Sequence, residues 1–383
     1  MSLQFITGNS GNGKTKYLFN RVLKEAKANP RDNYLVIVPE QFTMQTQRQL
    51  VDLSENKAIM NIDVLSFKRL AYRVFDELGI TRLTVLEETG KNLVLRKLAG
   101  QEADKLGVIG RNLNRIGYIS EVKSLLSELV QYNISPQDLE KYIASGRLSD
   151  TLSGKLKDVL VLYEAFEKFM QDKYITAEEI LNVLCDVAEE SAILRNSVIA
   201  FDEFTGFTPI QNQLMKKLFV ISKKIYVTLT IDCREDIFKS RGMHELFDMP
   251  KRTVKSLTEM AAFYGIEVEE PIILDKNYRL AENEELGFME QQLFRKQRRS
   301  FEKEPKNIHI DCLRDPKQEL TKIARTINEL VRNENLRYRD IAIVTGDVNI
   351  YAGYVREIFD KYNIPYFIDA TQEILFHPFI EFI

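Results

Sequence analysis

Two hydrophobic periodicities alternate along this chain, and the changes between them divide it into segments. Residues 1–80 and 191–290 combine short apolar runs, bounded by polar or turn residues, with amphipathic helical stretches. In chain order, the clearest predicted elements are a strand over 3–7, a helix over 14–28, and strands over 34–38, 197–201 and 224–231. Such alternation indicates a parallel sheet with covering helices. We therefore predict one α/β domain built from residues 1–80 and 191–290.

Between the two halves of the α/β domain, the hydrophobic pattern predicts helices alone. Over residues 81–190 the apolar positions follow a helical period, and no strand pattern is convincing. Within 152–170, for example, apolar residues recur at 156, 159, 160, 163 and 166. We predict an all-helical insert in the α/β domain.

A basic stretch over 291–306 separates this domain from a second α/β pattern over 307–383. Its cations Arg295, Lys296, Arg298 and Arg299 are predicted to form a solvated hinge rather than a DNA site. The predicted elements that follow are strands over 308–312, 340–345 and 366–369 and helices over 317–333 and 351–362. Two or three strands make an incomplete sheet, so we expect the 383 residues to be a fragment of a longer protein.

Composition restricts the function classes. The chain has 383 residues, of which 44% are hydrophobic, enough to bury more than one core. It contains neither a membrane-length apolar run nor an N-terminal signal pattern, so we expect a cytoplasmic protein without a membrane partner. The cysteines Cys185, Cys233 and Cys312 are few and widely spaced, which favours reduced, buried thiols over disulfides or a metal site. With a net charge of −3, nucleic-acid contacts would need local basic surface.

The strongest chemical motif is the glycine-rich sequence GNSGNGKT at 8–15, between the first predicted strand and helix. It fits the phosphate-binding pattern G-x-x-x-x-G-K-[ST], in which backbone N–H groups and a helix N-terminus surround phosphate oxygens. The candidate nucleotide-binding residues are Gly8, Asn9, Ser10, Gly11, Asn12, Gly13, Lys14 and Thr15. Lys14 would reach the β- and γ-phosphates, and Thr15 would offer its hydroxyl to Mg²⁺. The alternative is a strand-to-helix turn without a ligand.

A second motif follows the strand over 197–201, which delivers two carboxylates at its end. Asp202 would hold Mg²⁺ through water, and Glu203 would polarise an attacking water. Ligands bind at the carboxyl ends of strands in open α/β sheets, and the upstream phosphate loop favours this interpretation. The alternative is an acidic turn of no chemical consequence.

Several motifs occur in the order found in superfamily 1 DNA helicases of the UvrD type. They are the loop at 8–15, VPEQF at 38–42, SFKRLA at 66–71, Asp202–Glu203, NYR at 277–279 and IPY at 364–366. The resemblance is closer to the B subunit of AddAB-type (RexAB-type) helicase-nucleases. The segments that carry it are VPEQFT at 38–43, LSFKRLAYRVF at 65–75, DEFTGFTPIQ at 202–211, RYRDIAIVTGD at 337–347, YNIPYFID at 362–369 and HPFIEFI at 377–383.

This resemblance implies a RecA-like sheet domain with a helical insert, followed by the start of a second, incomplete RecA-like lobe. It implies ATP and Mg²⁺ as ligands, with Arg279 directed at the γ-phosphate. It also implies an A-type subunit as partner, single-stranded and end-containing double-stranded DNA as substrates of double-strand break repair, and the bacterial cytoplasm as location. The family's nuclease domain and iron–sulfur cluster belong to its C-terminal part, which this chain does not contain.

In this family B subunits scan the DNA strand while the A subunit drives unwinding. The candidate DNA contacts are Phe42, Ser66, Phe67, Lys68 and Arg69. Stacking aromatics and cations that follow the backbone are typical of single-strand paths. For Phe67, core packing is an open alternative to base stacking.

Some positions depart from an active motor of the UvrD type. Thr205 stands where motif II has Gln, the third motif reads TIDC at 230–233, and an adenine-reading Gln upstream of the loop is missing. We therefore expect slow or absent ATP hydrolysis. Two alternatives stay open: an autonomous DNA-stimulated ATPase that uses Glu203, and a scaffold that binds no nucleotide.

Overall fold

The structure is a computed structural model. It describes residues 1–80, 85–110, 117–145, 148–170, 174–176, 179–295, 299–369 and 378–382. The chain divides into two units, one of residues 1–287 with 293–296 and one of residues 288–292 with 297–383.

A parallel sheet organises the first unit. The strands of this unit are β1 (Ser2–Gly8), β2 (Tyr34–Ile37), β3 (Ile62–Leu65), β4 (Val85–Leu86), β5 (Ile175–Thr176), β6 (Val198–Phe201), β7 (Lys224–Thr230), β8 (Glu267–Val268) and β9 (Ile272–Leu274). The main sheet has the order β3-β2-β6-β7-β1, and both β8 and β9 pair with the outer side of β1. This confirms the predicted α/β class with a parallel sheet, and β7 lies between β1 and β6.

Helices cover the sheet and form the insert. Those that lie in the first unit are α1 (Lys14–Ala28), α2 (Thr43–Leu53), α3 (Phe67–Leu78), α4 (Glu88–Gln101), α5 (Tyr118–Gln131), α6 (Pro136–Ala144), α7 (Asp150–Met170), α8 (Ile180–Val187), α9 (Pro209–Ile221) and α10 (Asp248–Phe263). The helix α11 (Glu284–Gln292) begins in the first unit and ends in residues assigned to the second. The second unit contains α12 (Pro316–Asn333), α13 (Val348–Lys361) and α14 (Pro378–Phe382). Across the ranges given above, we find no helix with both the length and the apolar character required to cross a membrane.

Both faces of the sheet are buried, which explains why its strands are apolar runs rather than alternating ones. Strand β1 shows this most clearly, because its last six residues are all buried. Leu3 and Phe5 pack on one face with residues of α3, α8, α9 and α10. Ile6 packs on the other face with residues of α1 and α2. β1 lies between β7 and the short strands β8 and β9, so the loop that follows it is flanked on both sides at the carboxyl edge of the sheet.

The insert has its own apolar core, formed by α4 to α7. Asp158 on α7 is buried in this region and accepts hydrogen bonds from three successive backbone N–H groups, those of Gly107, Val108 and Ile109, at 2.6 to 3.0 Å. Its carboxylate therefore holds the backbone of residues 107–109, which follow α4, in place. The helical periodicity of the sequence did not reveal this contact.

Two details of the predicted insert are wrong. The segment contains two short strands, since β4 and β5 pair in parallel where the chain enters and leaves the helical bundle. In addition, α8 packs in the sheet core rather than in the bundle, through Ile180 and Leu184. Short strands of two residues carry too little alternation to be recognised in a helical background.

In the second unit, α12 and α13 pack against each other through a small apolar core that includes Leu320, Ile327 and Phe359. The strands predicted over 308–312, 340–345 and 366–369 do not form in the described residues. Residues 338–340 form a helical turn, and Ile341 that follows has extended backbone angles. Strand character needs a neighbouring strand for its hydrogen bonds, and the part of this unit that the structure describes supplies none. The resembling segment at 377–383 lies partly outside the described residues.

Candidate nucleotide site

The loop over 8–13 connects the end of β1 to the start of α1. Gly11 and Gly13 have φ angles of +88° and +81°, in the left-handed region where side chains are strained. Gly13 is the N-cap of α1, and within the described residues no side chain caps this helix start. The N–H groups of the first turn are therefore available to an anion, as phosphate binding at a helix N-terminus requires.

Lys14 lies in the curve of this loop. Its Nζ donates hydrogen bonds to the carbonyl oxygens of Gly8 and Asn9, each at 3.0 Å. Burial lowers the pKa of Lys14, while the charges of Glu203 and Asp202 act in the opposite direction. The ammonium group therefore lies within the loop, and its contact with phosphate oxygens stays a prediction.

Asp202 follows β6 at the same edge of the sheet. Its side chain is almost fully buried: Oδ1 accepts a hydrogen bond from the hydroxyl of Thr228, and Oδ2 has no hydrogen-bond partner in the part of the chain that the structure describes. Burial raises the pKa of Asp202. A buried carboxylate oxygen without a partner is costly unless a ligand satisfies it.

Glu203 has an unusual backbone conformation for a residue with a side chain, with φ at +64°. Its Oε1 accepts a hydrogen bond from the hydroxyl of Thr15 at 3.3 Å. Left-handed backbone in a non-glycine residue costs about 1–2 kcal/mol and is concentrated at functional sites. The Glu203 carboxylate reaches the phosphate loop, so Thr15 meets the carboxylate pair although 188 positions separate it from Glu203.

These groups fit a magnesium ion that arrives with a nucleotide. Mg²⁺ in nucleotide sites is held by one or two protein oxygens together with phosphates and water. The unpartnered Oδ2 of Asp202 and the hydroxyl oxygen of Thr15 are protein oxygens of this kind. Across the described ranges no three His, Cys, Asp or Glu side chains are grouped to hold a metal by themselves. Asp202 and Thr15 would therefore hold Mg²⁺ together with the phosphates of a bound nucleotide.

The segment after β9 covers the outer side of the loop. Asn277 Nδ2 donates to the carbonyl of Ser10 at 2.9 Å, and the backbone N–H of Tyr278 donates to the carbonyl of Gly11 at 3.0 Å. Arg279 Nη1 lies 3.3 Å from the hydroxyl of Ser10. Arg279 is exposed, and its charge acts to lower the pKa of the loop lysine. The guanidinium therefore lies beside the phosphate loop, and its direction towards a γ-phosphate stays a prediction.

At the end of β7, Asp232 is buried in a cluster of arginines. Its carboxylate accepts two hydrogen bonds from the Arg234 side chain, and Oδ2 also accepts one from Arg295 Nη2 at 2.6 Å. Arg295 also lies over the Phe247 ring, and its side chain is 16% exposed. The prediction that Arg295 is a solvated hinge residue is therefore wrong, because a buried carboxylate attracts the guanidinium. Arg299 is exposed, and Lys296 and Arg298 lie outside the described residues.

Phe67 begins α3 and is 7% exposed. Its ring contacts three other aromatic rings, with centroid distances of 5.5 to 6.3 Å; they belong to Phe201, Phe204 and Phe207. A ring surrounded in this way has no free face for a base. The structure favours core packing, so we correct the assignment of Phe67 as a DNA contact.

The other candidate DNA residues share the carboxyl edge of β2 and β3. Ser66 is buried, accepts a hydrogen bond from the backbone N–H of Arg69 as the N-cap of α3, and donates to Glu40. Arg69 Nε also donates to Glu40, at 3.0 Å. Lys68 is exposed, and Phe42 is half-buried. The hydrogen bond from Ser66 lowers the pKa of Glu40, so an ionised carboxylate lies among these candidate contacts.

The sequence motifs did not predict two contacts of the site. Thr228 reaches Asp202 because β6 and β7 are neighbours, a pairing that no local motif encodes. The backbone N–H of Cys233 donates to Asn9 Oδ1 at 3.2 Å, which joins the end of β7 to the phosphate loop. For Thr228, a polar residue within an otherwise apolar buried strand was the available signal.

The cysteines differ in accessibility, and this gives a prediction. Cys185 is buried, Cys233 is half-buried and Cys312 is exposed, so the expectation of three buried thiols is wrong for Cys312. Burial raises the pKa of Cys185 from 9.0 to about 11 and also raises that of Cys233. At pH 8 we expect iodoacetamide to modify Cys312 first, Cys233 more slowly, and Cys185 only after unfolding, because the thiolate is the reactive form.

Peptide mass spectrometry after timed quenching measures these three rates. Equal labelling rates for Cys185 and Cys312 in the native protein would contradict this account.

The raised pKa of Cys185 also destabilises the fold at alkaline pH. Between pH 9 and 11 the unfolded state loses the Cys185 proton before the native state does, so the free energy of unfolding falls as pH rises through this window.

Comparison with known proteins agrees with the motifs. The sequence profile of the family described as "ADDB, N-terminal" matches residues 5–290. The B subunit of the ATP-dependent helicase/deoxyribonuclease of Lachnoclostridium phytofermentans is 39% identical, in an alignment that covers 100% of this chain and 34% of that protein. The B subunits of the same name from Clostridium tetani and Listeria monocytogenes are each 33% identical, with 100% of this chain and 34% and 33% of theirs aligned.

The chain therefore spans about one third of the length of these relatives. The family profile covers the phosphate loop, the carboxylate pair and the NYR segment. The resemblance indicated by the motifs is confirmed: this chain belongs to the family of AddB N-terminal regions.

Proposed function

We propose that this chain binds Mg·ATP at the phosphate loop and forms the N-terminal part of a DNA-scanning subunit of an ATP-dependent helicase/deoxyribonuclease. The observation that supports this most directly is the convergence of Lys14, Thr15 and Asp202 at the carboxyl edge of the sheet, with one carboxylate oxygen left without a partner among the described residues. Lys14 and the N–H groups of α1 would hold the phosphates. Asp202 and Thr15 would hold the metal ion, which supplies charge neutralisation on the phosphates when bound.

We further propose that the nucleotide serves mainly to fix the local geometry and is hydrolysed slowly. Thr205 occupies the position of the motif II glutamine, and its backbone carbonyl accepts a hydrogen bond from the Thr253 hydroxyl. Asp232 of the third motif is engaged by two arginines. In active motors these motif positions couple ATP to DNA. In this chain their contacts support a role in packing.

The whole subunit would work with an A-type helicase-nuclease partner on the ends of broken DNA, in the bacterial cytoplasm. Lys68 and Arg69 are exposed at the edge of β3 and are the proposed contacts to the phosphates of a single strand, beside Phe42. Any iron–sulfur cluster or nuclease site would belong to the C-terminal part of such a subunit.

A working DNA-stimulated ATPase is the second candidate. The observation that favours it is the Glu203 carboxylate, held 3.3 Å from the Thr15 hydroxyl by a strained backbone. Such a carboxylate could orient an attacking water. This candidate predicts a turnover rate that Glu203→Gln abolishes.

Thermal unfolding with and without nucleotide tests the main proposal. A ligand present at 100 times its Kd stabilises the native state by about 2.7 kcal/mol, so saturating Mg·ATP should raise the melting temperature clearly. Mg²⁺ with a non-nucleotide anion such as sulfate at equal ionic strength is the control. An unchanged melting temperature would contradict nucleotide binding and support the third candidate, a scaffold without a ligand.

A further inference from the structure

Strand β7 separates the two halves of the nucleotide site. It pairs with β1, which leads into the phosphate loop, and with β6, which leads to Asp202. In the register of these strands, Thr228 lies opposite Ile6 of β1, and the preceding Val227 lies opposite Phe201 of β6. Thr228 is therefore the residue of β7 that stands beside Asp202.

Thr228 is only 3% exposed, and its hydroxyl donates to Asp202 Oδ1. A hydroxyl has one proton to donate, so this bond fixes which of the two carboxylate oxygens is engaged. The other oxygen, Oδ2, is buried and has no hydrogen-bond partner among the described residues. The hydroxyl of Thr15, which donates to Glu203, also lies near this carboxyl group.

Asp202 presents one particular oxygen to a metal ion only if its carboxylate group is held in one orientation. The Asp202 side chain is buried, and the hydroxyl of Thr228 donates to its Oδ1 from the neighbouring strand. The same bond restricts rotation of the carboxylate group about its terminal torsion, which is otherwise broad. Without it, Asp202 could turn either oxygen towards the loop.

We propose that Thr228 is a positioning residue for Mg²⁺, which holds Asp202 Oδ1 so that Oδ2 is presented to the metal ion or to its bound water. This inference rests on the proposed binding of Mg·ATP and adds to it the group that orients the metal-binding carboxylate. Outer-shell hydrogen bonds of this kind typically change metal affinity by about 10- to 100-fold.

The chain contains a matched control for the test. Thr7 lies on β1, is as deeply buried as Thr228, and has a hydroxyl without a hydrogen-bond partner among the described residues. Thr7→Val and Thr228→Val therefore make the same chemical change at similar depth in neighbouring strands. Only the second removes a hydrogen bond to the carboxylate.

The experiment measures the affinity for a fluorescent ATP analogue as a function of free Mg²⁺, and again in EDTA. For Thr228→Val we expect the Mg²⁺ concentration at half effect to rise about tenfold or more, with unchanged affinity in EDTA. Thr228→Ser keeps the donor and should restore the wild-type Mg²⁺ dependence. Thr7→Val should match wild type. Melting temperatures without ligand show whether each variant folds, and Thr228→Ala replaces Thr228→Val if that variant does not fold.

The outcomes separate this inference from the proposal on which it rests. Equal Mg²⁺ dependence in Thr228→Val and Thr7→Val, with wild type binding Mg·ATP normally, would overturn the role of Thr228 alone. An equal loss of affinity in EDTA and in Mg²⁺ would overturn it too, because the defect would not concern the metal. A wild-type chain that binds no nucleotide in either condition would overturn both.

Discussion

Lys14→Ala is expected to weaken Mg·ATP binding by about a hundredfold, whereas Lys16→Ala is expected to leave it nearly unchanged. The Lys14 ammonium lies inside the loop, on the carbonyls of Gly8 and Asn9, and would turn to the phosphates on binding. Hydrogen bonds to charged groups contribute about 1.5–3 kcal/mol each, and about 1.4 kcal/mol is tenfold in affinity. Equilibrium titration with the nucleotide measures both variants.

Lys16 is the control because it loses the same charge from the same helix. It is exposed on α1, two residues beyond Lys14. A general electrostatic attraction of nucleotide to the helix start would weaken both variants similarly. Equal affinities for wild type and Lys14→Ala would show that the nucleotide binds elsewhere.

Gly11→Ala should have the second largest effect, on both folding and binding. Gly11 has a φ of +88°, and a Cβ there would lie 2.8 Å from the Cβ of Arg279 and 2.8 Å from Asn277 Oδ1. Left-handed strain costs about 1–2 kcal/mol and overpacking about 1–3 kcal/mol more. The loop must move away from the NYR segment, so we expect a lower unfolding free energy together with loss of nucleotide affinity.

Gly79→Ala separates the two causes. Gly79 ends α3 with a φ of +68°, and an added Cβ there has nothing within 4 Å. This variant should lose about 1–2 kcal/mol of stability through backbone strain and keep its nucleotide affinity. If Gly11→Ala bound nucleotide as well as Gly79→Ala does, close packing of the NYR segment on the loop would not matter for the site.

The parts of the fold that could be predicted are those whose information is local. Helix α1 has the predicted bounds, because its apolar face and the glycines before it lie within one short segment. The strands over 308–312, 340–345 and 366–369 were predicted from equally apolar segments and do not form in the described residues. The difference is pairing: a strand exists only where another strand accepts its hydrogen bonds, and apolar content does not reveal that neighbour.

The site shows the same division. The strand–loop–helix geometry around residues 8–15 was predictable because the motif fixes its own backbone, whereas nucleotide binding by these residues stays a prediction. The contacts of Asp232 with Arg295, across 63 positions, and of Thr228 with Asp202 depend on which elements become neighbours. Phe67 illustrates the limit for side chains, since its position in a motif could not distinguish a stacking surface from the aromatic cluster that buries it.

The central claim is that this chain binds Mg·ATP without acting as a motor. Binding and turnover should be measured on one preparation, with and without single-stranded DNA, using the same nucleotide concentrations. The account predicts saturable Mg·ATP binding, and a turnover rate that is very low and does not rise when DNA is added. Strong DNA-stimulated hydrolysis that Glu203→Gln abolishes would contradict it and identify the chain as a working ATPase.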